Sequence, residues 1–374
     1  MPNKGKFIVA SVIAVVASLI LTAILGLNYG IDFSGGTEIQ VKFNKEVDAG
    51  DIRNSMKQLE GINSEVQNYG LNEKGEFLIK FPNISYVDEG REAGLQGKLE
   101  STYKDKGYRR FHHSTEGGDK VEFTLNENIP TDDVKKIFDE SDTRASEVTV
   151  SGAEGRFVYR VVLEGMTPRI TAALNKTFGE GTYEILRADT VGPKVGGELK
   201  MKSFLAVLYS LIGLLIYIAF RFDFRFAPGA IVCLAHDVSI TVGLYALFKI
   251  PFTVSTIAAL LTLIGYSLND TIVVYDRIRE NLAKAKVKPL PEVVNDSINE
   301  TLSRTVITSG VTQLVVIALI LFGGSAIFDF AFALFVGIIV GTYSSIFIAA
   351  PLTVYIDDQI TKYKSRQAVT KAKA

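Results

Sequence analysis

The sequence predicts an α-helical membrane bundle of six transmembrane helices that carries an extracytoplasmic α+β domain. The first observation is a division of composition. Residues 37–200 are polar and rich in Lys, Glu, Asp and Gly, whereas long apolar runs dominate the rest of the chain. A soluble domain explains the polar part, and a membrane bundle explains the apolar part. The second observation is that strand and helix patterns alternate through the polar part and then recur.

Six apolar runs predict the transmembrane helices. The first run, at 7–27, is uncharged and long enough to cross a bilayer. A cleaved signal peptide is the alternative, but its apolar core spans about 7–15 residues and ends in a small-residue cleavage site. The run here is longer and continues into L-N-Y-G-I-D-F. Five further runs lie at roughly 203–220, 227–247, 253–275, 305–323 and 330–354.

The distribution of Lys and Arg predicts the orientation in the membrane. Basic residues occur in the N-terminal segment, in the loops at 221–226 and 276–304 and in the C-terminal tail, whereas the short loops of the opposite side contain only Lys249. Because basic loops stay in the cytoplasm, we expect both termini to be cytoplasmic. The expected domains are the N-terminus with the first helix (1–29), two extracytoplasmic modules (30–115 and 116–200), the other five helices (201–356) and a basic tail (357–374).

The extracytoplasmic region predicts two tandem ferredoxin-like modules. Strand and helix patterns over 39–114 follow the order β-α-β-β-α-β, which is typical of this fold. The pattern then restarts: G-G-T-E-I-Q-V-K-F-N at 35–44 resembles G-G-D-K-V-E-F-T-L-N at 117–126, an offset of 82 residues (117 minus 35). The same offset continues without a gap as far as Ile79 and Val161. These observations favour a duplication, although two β-α-β-β units can also resemble each other without one.

Three ionisable residues lie inside predicted membrane helices. Asp270 interrupts the apolar run at 262–275, and His236 and Asp237 lie near the middle of the run at 227–247. Ionisable groups at membrane depth are costly, so they usually face a bundle interior or a wet cavity and mark function. The alternatives are that Asp270 only ends its helix and that the other two only lock helix packing. Because neighbouring side chains on a helix point about 100° apart, no direct bond between His236 and Asp237 is expected.

A polar stripe is predicted on the fifth transmembrane helix. It consists of four threonines on one helix face: Thr301, Thr305, Thr308 and Thr312. A polar stripe in lipid has to face protein or water, so we expect it to face the bundle centre. Arg304 stands at the head of this helix, where it either pairs with Asp270 or serves as a positive-inside anchor.

Small residues recur in the last apolar run. Gly337, Gly341 and Ser345 follow each other at four-residue spacing and so lie on one helix face. Small residues on one face let two helices approach closely, so the stripe predicts a tight helix–helix contact. Pro351, late in the same run, is a candidate for a kink.

Several classes of function are excluded. A net charge of −1 gives no reason to expect nucleic-acid binding. Three His, one Cys and no H-x-x-x-H spacing exclude the usual zinc patterns, and the absence of G-x-x-x-x-G-K-[ST] argues against ATP hydrolysis. The lone cysteine, Cys233, permits no disulfide within the chain. We therefore expect no metal, no cofactor and no enzymatic activity.

Seven motifs follow each other along the chain: G-I-D-F-S-G-G-T (30–37), V-G-P-K-V-G (191–196), R-F-D-F-R-F (221–226), A-H-D-V (235–238), I-G-Y-S-L-N-D-T-I-V-V-Y-D-R-I-R-E-N (264–281), R-T-V-I-T-S-G (304–310) and L-F-G-G (321–324). In order and spacing they resemble the motifs of the SecD/SecF family of protein-export membrane subunits, and within it the SecF branch. Members of the SecF branch ordinarily have one ferredoxin-like module, so the second module predicted here departs from the family.

The resemblance implies a fold similar to half of an RND-type transporter in a bacterial or archaeal cytoplasmic membrane. It also implies a SecD partner, contact with membrane lipid, and work beside the SecYEG channel on unfolded preproteins, driven by the proton-motive force. Half of an RND-type small-molecule exporter is the alternative. Whether H⁺ or Na⁺ is the coupling ion stays open.

The resemblance also points to site residues. In SecF-like proteins the positions of Asp270 and Arg304 are linked to proton conduction, and with His236 and Asp237 they form the expected proton relay. The glycines beside the membrane helices are expected to provide permissive backbone where the outer region is tethered. The supporting polar and tether residues in these motifs are Ser267, Asn269, Thr308, Asp32, Gly35, Gly36, Gly192 and Gly196.

Overall fold

The computed structural model of the chain describes residues 4–57, 59, 64–69, 75–82, 87, 89–114, 119–141, 143–153, 155–221, 226–284 and 288–373. Most of the basic loop at 221–226 and the predicted module boundary at 115–116 lie outside these residues. The chain divides into two compact units. We call Met1–Tyr29 with Met201–Ala374 the membrane unit, and Gly30–Lys200 the outer domain.

Helices and strands alternate in the outer domain, whereas the membrane unit is helical. The helices are α1 (Lys4–Leu25), α2 (Ile31–Ser34), α3 (Ala49–Met56), α4 (Glu89–Tyr103), α5 (Thr131–Asp139), α6 (Met166–Phe178), α7 (Pro193–Arg221), α8 (Ala227–Phe248), α9 (Val254–Lys284), α10 (Leu290–Phe322), α11 (Ser325–Ser344) and α12 (Ala350–Lys373). The strands are β1 (Gly36–Phe43), β2 (Glu65–Asn68), β3 (Glu76–Phe81), β4 (Arg109–Ser114), β5 (Lys120–Leu125), β6 (Ala145–Ala153), β7 (Arg156–Leu163) and β8 (Tyr183–Val191).

Six helical segments of the described residues are long and apolar enough to cross a membrane, which confirms the predicted number. They are Gly5–Leu25, Lys194–Ile218, Ala227–Phe248, Val254–Lys284, Leu290–Phe322 and Ile327–Tyr363. The last segment contains a π turn, Ser345–Ala349, between α11 and α12. The π turn lies directly before Pro351, whose ring cannot donate a helical hydrogen bond. The chain passes this point as a bulge inside one continuous membrane helix.

The first sheet of the outer domain has four strands in the order β2-β3-β1-β8. The central strand β1 is antiparallel to both neighbours and places Val41 opposite Phe77 of β3 and Ile185 of β8. Ile52 of α3 and Ile170 of α6 are fully buried in the core against this sheet. Strands β1, β2, β3 and β8 with helices α3 and α6 therefore form one ferredoxin-like module.

The second sheet also has four strands, in the order β4-β5-β7-β6. Its central strand β5 places Phe123 opposite Tyr159 of β7, and the two buried rings stack with centroids 5.3 Å apart. Leu95 and Leu99 of α4 and Val134 of α5 complete this core. The strand order equals that of the first module, but the chain enters at a different point. Its final helix and strand, α4 and β4, precede the β-α-β-β part instead of following it.

The predicted tandem arrangement is therefore wrong in its connectivity. The helix predicted near 89–104 and the strand predicted near 108–114 were expected to complete the first module, but they form α4 and β4 of the second module. The first module is completed by α6 and β8, near the other end of the outer domain. The second module is thus inserted into the first, between β3 and α6. By local sequence pattern, α4 with β4 and α6 with β8 are each able to complete either sheet. The strand pairing decides which helix and strand complete which sheet.

The repeated β-α-β-β part of each module agrees with the 82-residue offset. Phe77 and Ile79 lie on β3, and their counterparts Tyr159 and Val161 lie on β7, in the equivalent position of the second sheet. All four side chains are buried. Each is the third strand of its β-α-β-β unit and pairs with the first strand of that unit. The internal repeat therefore describes three of the four strands in each sheet.

We expect a disulfide between cysteines placed at Thr37 and Thr190, because these residues are paired across β1 and β8 and their hydroxyl oxygens lie 3.1 Å apart. The control is Thr37→Cys with Ser114→Cys, which joins β1 to the strand that the tandem arrangement would place beside it. Mild oxidation of the purified protein should cross-link the first pair, detected as a shift in non-reducing gel mobility. Cross-linking of the control pair alone would restore the tandem connectivity.

A histidine connects two elements of the second module. His113 Nδ1 lies 3.1 Å from a carboxylate oxygen of Glu92 on α4, and its Nε2 lies 2.7 Å from Asp119 Oδ1 at the start of β5. The hydrogen bond with Asp119, supported by Glu92 and opposed by burial, raises the pKa of His113 above its usual 6.5. Protonated His113 therefore holds α4 against the sheet through two charge-assisted hydrogen bonds.

The stability of the second module should fall as pH rises. A raised folded-state pKa means that the folded chain holds the proton more tightly than the unfolded chain. The stabilisation is fully present below pH 6.5 and is lost as pH increases through the folded-state pKa. Thermal unfolding of the full chain at pH 5.5 and 8.5 should show this loss, and His113→Gln should reduce it. His112→Gln is the matched control on the same strand. Equal pH dependence in both variants would contradict the assignment.

Candidate functional site

Asp270 lies inside the membrane unit, where three helices meet. It is on α9 and is 3% exposed. Ser309 of α10 donates a hydrogen bond to Asp270 Oδ2 at 3.2 Å. Thr342 of α11 lies 2.8 Å from the Ser309 hydroxyl and 3.5 Å from Asp270 Oδ2, so its single proton is within reach of both. A carboxyl group in an apolar bundle is thus held by hydroxyl groups.

Asp237 forms a second buried cluster with α9 and α11. Ser267 donates to Asp237 Oδ2 at 2.5 Å, and Ser344 donates to the same oxygen at 2.9 Å. Cys233, one turn earlier on α8, lies with its sulfur 2.9 Å from the Ser344 hydroxyl. Asp237 is 1% exposed, and Ser267 and Ser344 are fully buried. Ser267, which was predicted as a supporting residue, thus donates a hydrogen bond to the Asp237 carboxylate.

His236 and Asp237 are directly hydrogen-bonded, which corrects the expectation from helix geometry. His236 Nδ1 lies 2.8 Å from Asp237 Oδ1. The 100° between neighbouring positions separates the Cβ directions, but rotation about the side-chain bonds brings a ring and a carboxylate together. His236 Nε2 is buried, and no described residue offers it a hydrogen-bond partner. The ring therefore has one nitrogen bonded to Asp237 and one buried nitrogen without a hydrogen-bond partner among the described residues.

The small residues of α11 place that helix close enough to supply these hydroxyl groups. A Cβ added at Gly337 would lie 2.4 Å from Leu263 Cδ1 of α9. A Cβ added at Gly341 would lie 3.1 Å from Ser267 Cβ and 3.5 Å from Asp237 Oδ2. The predicted close contact is confirmed, and its partner is α9. The same contact brings Thr342 to Asp270 and Ser344 to Asp237.

Three of the predicted site residues in the membrane helices lie outside these clusters. Asn269, Arg304 and Thr308 are exposed in the isolated chain. Thr308 was expected to face the bundle centre, but its hydroxyl donates to the Arg304 carbonyl of its own helix. The buried polar residues of α10 follow each other at four-residue spacing: Ser297, Thr301, Thr305 and Ser309.

Arg304 does not pair with Asp270. Within the described residues, no Lys or Arg forms an ion pair with Asp270 or Asp237, and Arg304 acts on Asp270 only through its charge at a distance. The sequence reasoning also missed Ser309, Thr342 and Ser344. All three are small polar residues in apolar runs, and each lies within a few residues of a feature that the sequence analysis did select.

The predicted tether glycines, near the two ends of the outer domain's chain segment, provide close packing. Gly36 has φ +117°, and an added Cβ would lie 2.2 Å from the Phe81 carbonyl oxygen of β3. A Cβ at Gly196 would lie 3.0 Å from the Gly35 nitrogen. The Gly196 amide donates to the Gly192 carbonyl at 2.9 Å. Asp32 lies in the first turn of α2, directly before this contact. Gly36 therefore needs both the backbone freedom of glycine and its lack of a side chain, whereas Gly196 needs only the lack of a side chain.

The charges at the end of α9 join it to its neighbours. Arg221 donates to Asp276 at 3.2 Å, which links the end of α7 to α9. Arg277 donates to Glu300 of α10 at 2.5 Å, and Asn281 donates to the same carboxylate at 2.9 Å. These side chains are partly exposed, so each contact contributes little to stability. The charged residues at the end of α9 therefore connect this helix to α7 and α10, and none of these hydrogen bonds involves the buried carboxyl groups.

Comparison with known proteins matches both units. A family model described as protein export membrane protein SecD/SecF, C-terminal, matches residues 170–359, and one described as the SecD/SecF GG motif matches residues 20–47. The chain is 36% identical to the protein translocase subunit SecF of Koribacter versatilis, over 94% of this chain and 90% of that one. It is 39% identical to that of Magnetococcus marinus, over 95% and 90%.

A solved structure is also similar. The crystal structure of SecDF from Thermus thermophilus, titled a translocon-associated membrane protein, matches with a TM-score of 0.64 and 31% identity. The match covers 96% of this chain and 38% of the SecDF chain, so this chain spans about two fifths of that protein. The C-terminal family model begins at residue 170, within α6, and so includes the strand β8 that completes the first sheet.

Gly337→Ala should destabilise the membrane unit by about 1–3 kcal/mol, because the new methyl group overpacks the α9–α11 contact. Leu263 is fully buried, so its side chain has to repack to make room for the methyl group. Gly310→Ala on α10 is the matched control, since no atom lies within 4 Å of its added Cβ. Thermal unfolding in detergent should show a lower melting temperature for Gly337→Ala alone. Equal melting temperatures would contradict the close packing of α11 on α9.

Proposed function

The chain belongs to the SecD/SecF family of protein-export membrane proteins, and from this premise we propose that it is a SecF subunit of the protein translocase. In this role it works with a SecD partner beside the SecYEG channel. It uses the proton-motive force to promote the movement of unfolded preproteins across the cytoplasmic membrane. The observation that carries the proton-driven part is the pair of buried carboxyl groups, Asp237 and Asp270, on neighbouring helices.

A carboxyl group that is buried without a cation can change its protonation state when its surroundings change. Burial favours the neutral form of a carboxyl group, whereas an approaching guanidinium or entering water favours the carboxylate. Hydroxyl groups suit both forms, because each can donate to a carboxylate or accept from a carboxylic acid. Asp270 has only hydroxyl partners among the described residues. Its binding and release of a proton therefore need only small rotations of Ser309 and Thr342.

Arg304 supplies the charge that changes the balance at Asp270. It lies five residues before Ser309, which is about 7.5 Å along a helix at 1.5 Å per residue. A rearrangement that turns or shifts α10 brings the guanidinium towards the carboxyl group and favours release of its proton. Each proton that crosses a potential of 100 mV releases about 2.3 kcal/mol, so a few protons bias the direction of a moving polypeptide.

The exposed polar residues of α9 and α10 support the need for a SecD partner. Asn269, Arg304 and Thr308 are exposed in this chain, yet each is in a helix long enough to cross the membrane. Polar groups in a membrane helix have to face protein or water. The solved SecDF relative is longer than this chain, which matches 38% of it. We assign the cover of these residues to a SecD subunit, and the remaining apolar surface to lipid.

The proposed orientation follows from the basic loops. Arg277, Arg279 and Lys284 lie at the end of α9, and Arg221 lies at the end of α7. By the positive-inside rule these ends are cytoplasmic, as are both termini. The outer domain, Gly30–Lys200, is then extracytoplasmic, where an exported chain emerges.

Replacement of either buried carboxyl group should stop proton-driven export. Asn has nearly the shape of Asp but cannot bind and release a proton, so Asp270→Asn and Asp237→Asn should each lower proton flux and preprotein export at least tenfold. Asp276→Asn, at the exposed end of the same helix as Asp270, is the matched control. The measurements are proton entry into vesicles that contain the SecD–SecF complex and export of a reporter preprotein. Full flux and export in both Asn variants would refute the proton relay.

The double variant Asp270→Arg with Arg304→Asp separates a mobile charge from a fixed ion pair. Because Asp270 is bonded to hydroxyl groups, we expect the exchange to restore neither export nor proton flux. Restoration of both would show that the two residues act as a fixed pair. Efflux of small apolar molecules without preprotein export would favour the RND-type exporter.

A further inference from the structure

The edge strand β6 of the second sheet is exposed along most of its length. It pairs with β7 from Ala145 to Ala153, and no other described strand pairs with its outer edge. From Thr149 to Ala153 every residue is exposed, on both faces of the strand. The backbone N–H and C=O groups that point away from β7 are therefore open to solvent along this segment.

The other three sheet edges carry features that prevent pairing with another strand. β4 contains Arg109 and Arg110, and its register shifts at Arg110, whose φ is +58°. β2 has only four residues. β8 contains Glu184, Arg187 and Asp189. Charges, irregular backbone and short length are the usual means by which proteins block edge pairing.

After Glu147, the backbone of strand β6 is irregular only at Gly152, whose φ is +129° beside the turn into β7. The segment V-T-V-S-G-A at 148–153 contains no charge and no proline. Its side chains are small, and Val150 is 37% exposed. The four residues before Gly152, at 148–151, give a regular open edge of about 13 Å at about 3.3 Å per residue. This length suffices to pair with about four residues of another extended chain.

We propose that β6 binds an extended segment of the exported polypeptide as an added strand. The proposal rests on the proposed function, because an unfolded preprotein is the extended chain that an extracytoplasmic domain of a SecF subunit meets. Main-chain hydrogen bonds supply the binding, so the site accepts many sequences. The small neutral side chains of β6 offer no deep pocket and no charge to select among them. A substrate that moves through the channel with changing sequence requires such tolerance.

The site is on the inserted module, which the sequence analysis identified as a departure from the family. The segment that carries it, β6 and β7, lies between α5 and α6. Val148 packs partly against the core of this module, whereas Val150 two residues later is exposed. The first part of β6 is thus anchored and the second part presents the open edge. We therefore assign contact with the emerging chain to the second module.

The test is site-specific photo-cross-linking in the assembled SecD–SecF complex during export. A benzophenone amino acid replaces Ser151 on β6 or, as the matched control on a protected edge, Glu184 on β8. The substrate is a preprotein that is arrested in the channel by a folded C-terminal domain. We expect a cross-link from position 151 to the arrested preprotein that is at least fivefold stronger than the cross-link from position 184.

A second variant tests whether strand pairing is the cause. Thr149→Lys with Ser151→Lys, combined with benzophenone at Val150, places two charges on the open edge. It should lower the cross-link at least fivefold, whereas Ser101→Lys on the exposed face of α4 should leave it unchanged. Both positions on β6 are exposed, so the module should still fold, which a melting curve checks.

Several outcomes would overturn the proposal. They are equal cross-linking at 151 and 184, a cross-link from 151 only to a second copy of this chain or to SecD, and no effect of the lysines. If the unmodified complex exports the reporter while position 151 fails to cross-link, β6 is not the site and the proposed function stands. If the unmodified complex exports nothing, the proposed function fails and the β6 proposal fails with it.

Discussion

Burial of two carboxyl groups inside an apolar helix bundle sets the packing of the membrane unit. An ionisable group without hydrogen bonds at this depth would cost several kcal/mol, so donors have to converge on Asp237 and Asp270 from neighbouring helices. The donors come mainly from α9, α10 and α11. They reach only because α11 has glycine where it meets α9. The small residues of α11 and the hydroxyl residues around Asp237 and Asp270 are therefore both needed to bury these carboxyl groups.

The kind of donor matters for function as much as its presence. A fixed cation beside each carboxyl group would hold it in the charged form, whereas hydroxyl groups serve both protonation states. Arg304 lies outside the Asp270 cluster in the isolated chain, whereas the His236 ring is bonded directly to Asp237. In the mechanism that we propose, the two protonation states of Asp270 correspond to two positions of α10, and a partner that covers the exposed face of α10 selects between them. Proton transfer is thereby coupled to movement of this helix.

In the outer domain, the second module is inserted without disrupting the first module, whose first and last strands continue towards the membrane helices in the chain. The first sheet begins at β1, directly after α2, and ends at β8, directly before α7. Insertion between β3 and α6 leaves both of these strands in place and adjacent. The inserted module keeps the strand order of its host but places α4 and β4 first. Its β6 edge remains open while the other sheet edges are blocked.

The sequence by itself determined the six spans, the two buried acidic positions, the small-residue contact and the repeated β-α-β-β units, because each depends on local pattern or composition. Strand pairing decided which helix and strand close each sheet, since α4 with β4 and α6 with β8 satisfy the same pattern. Helix rotation decided that Ser309 faces Asp270 while Thr308 faces outward, because one residue along a helix turns a side chain by about 100°. Side-chain rotation decided that His236 bonds Asp237. Strand pairing and helix rotation depend on contacts between segments that are distant in the chain, and the bond between His236 and Asp237 depends on side-chain rotamers. The local sequence pattern contains no information on either.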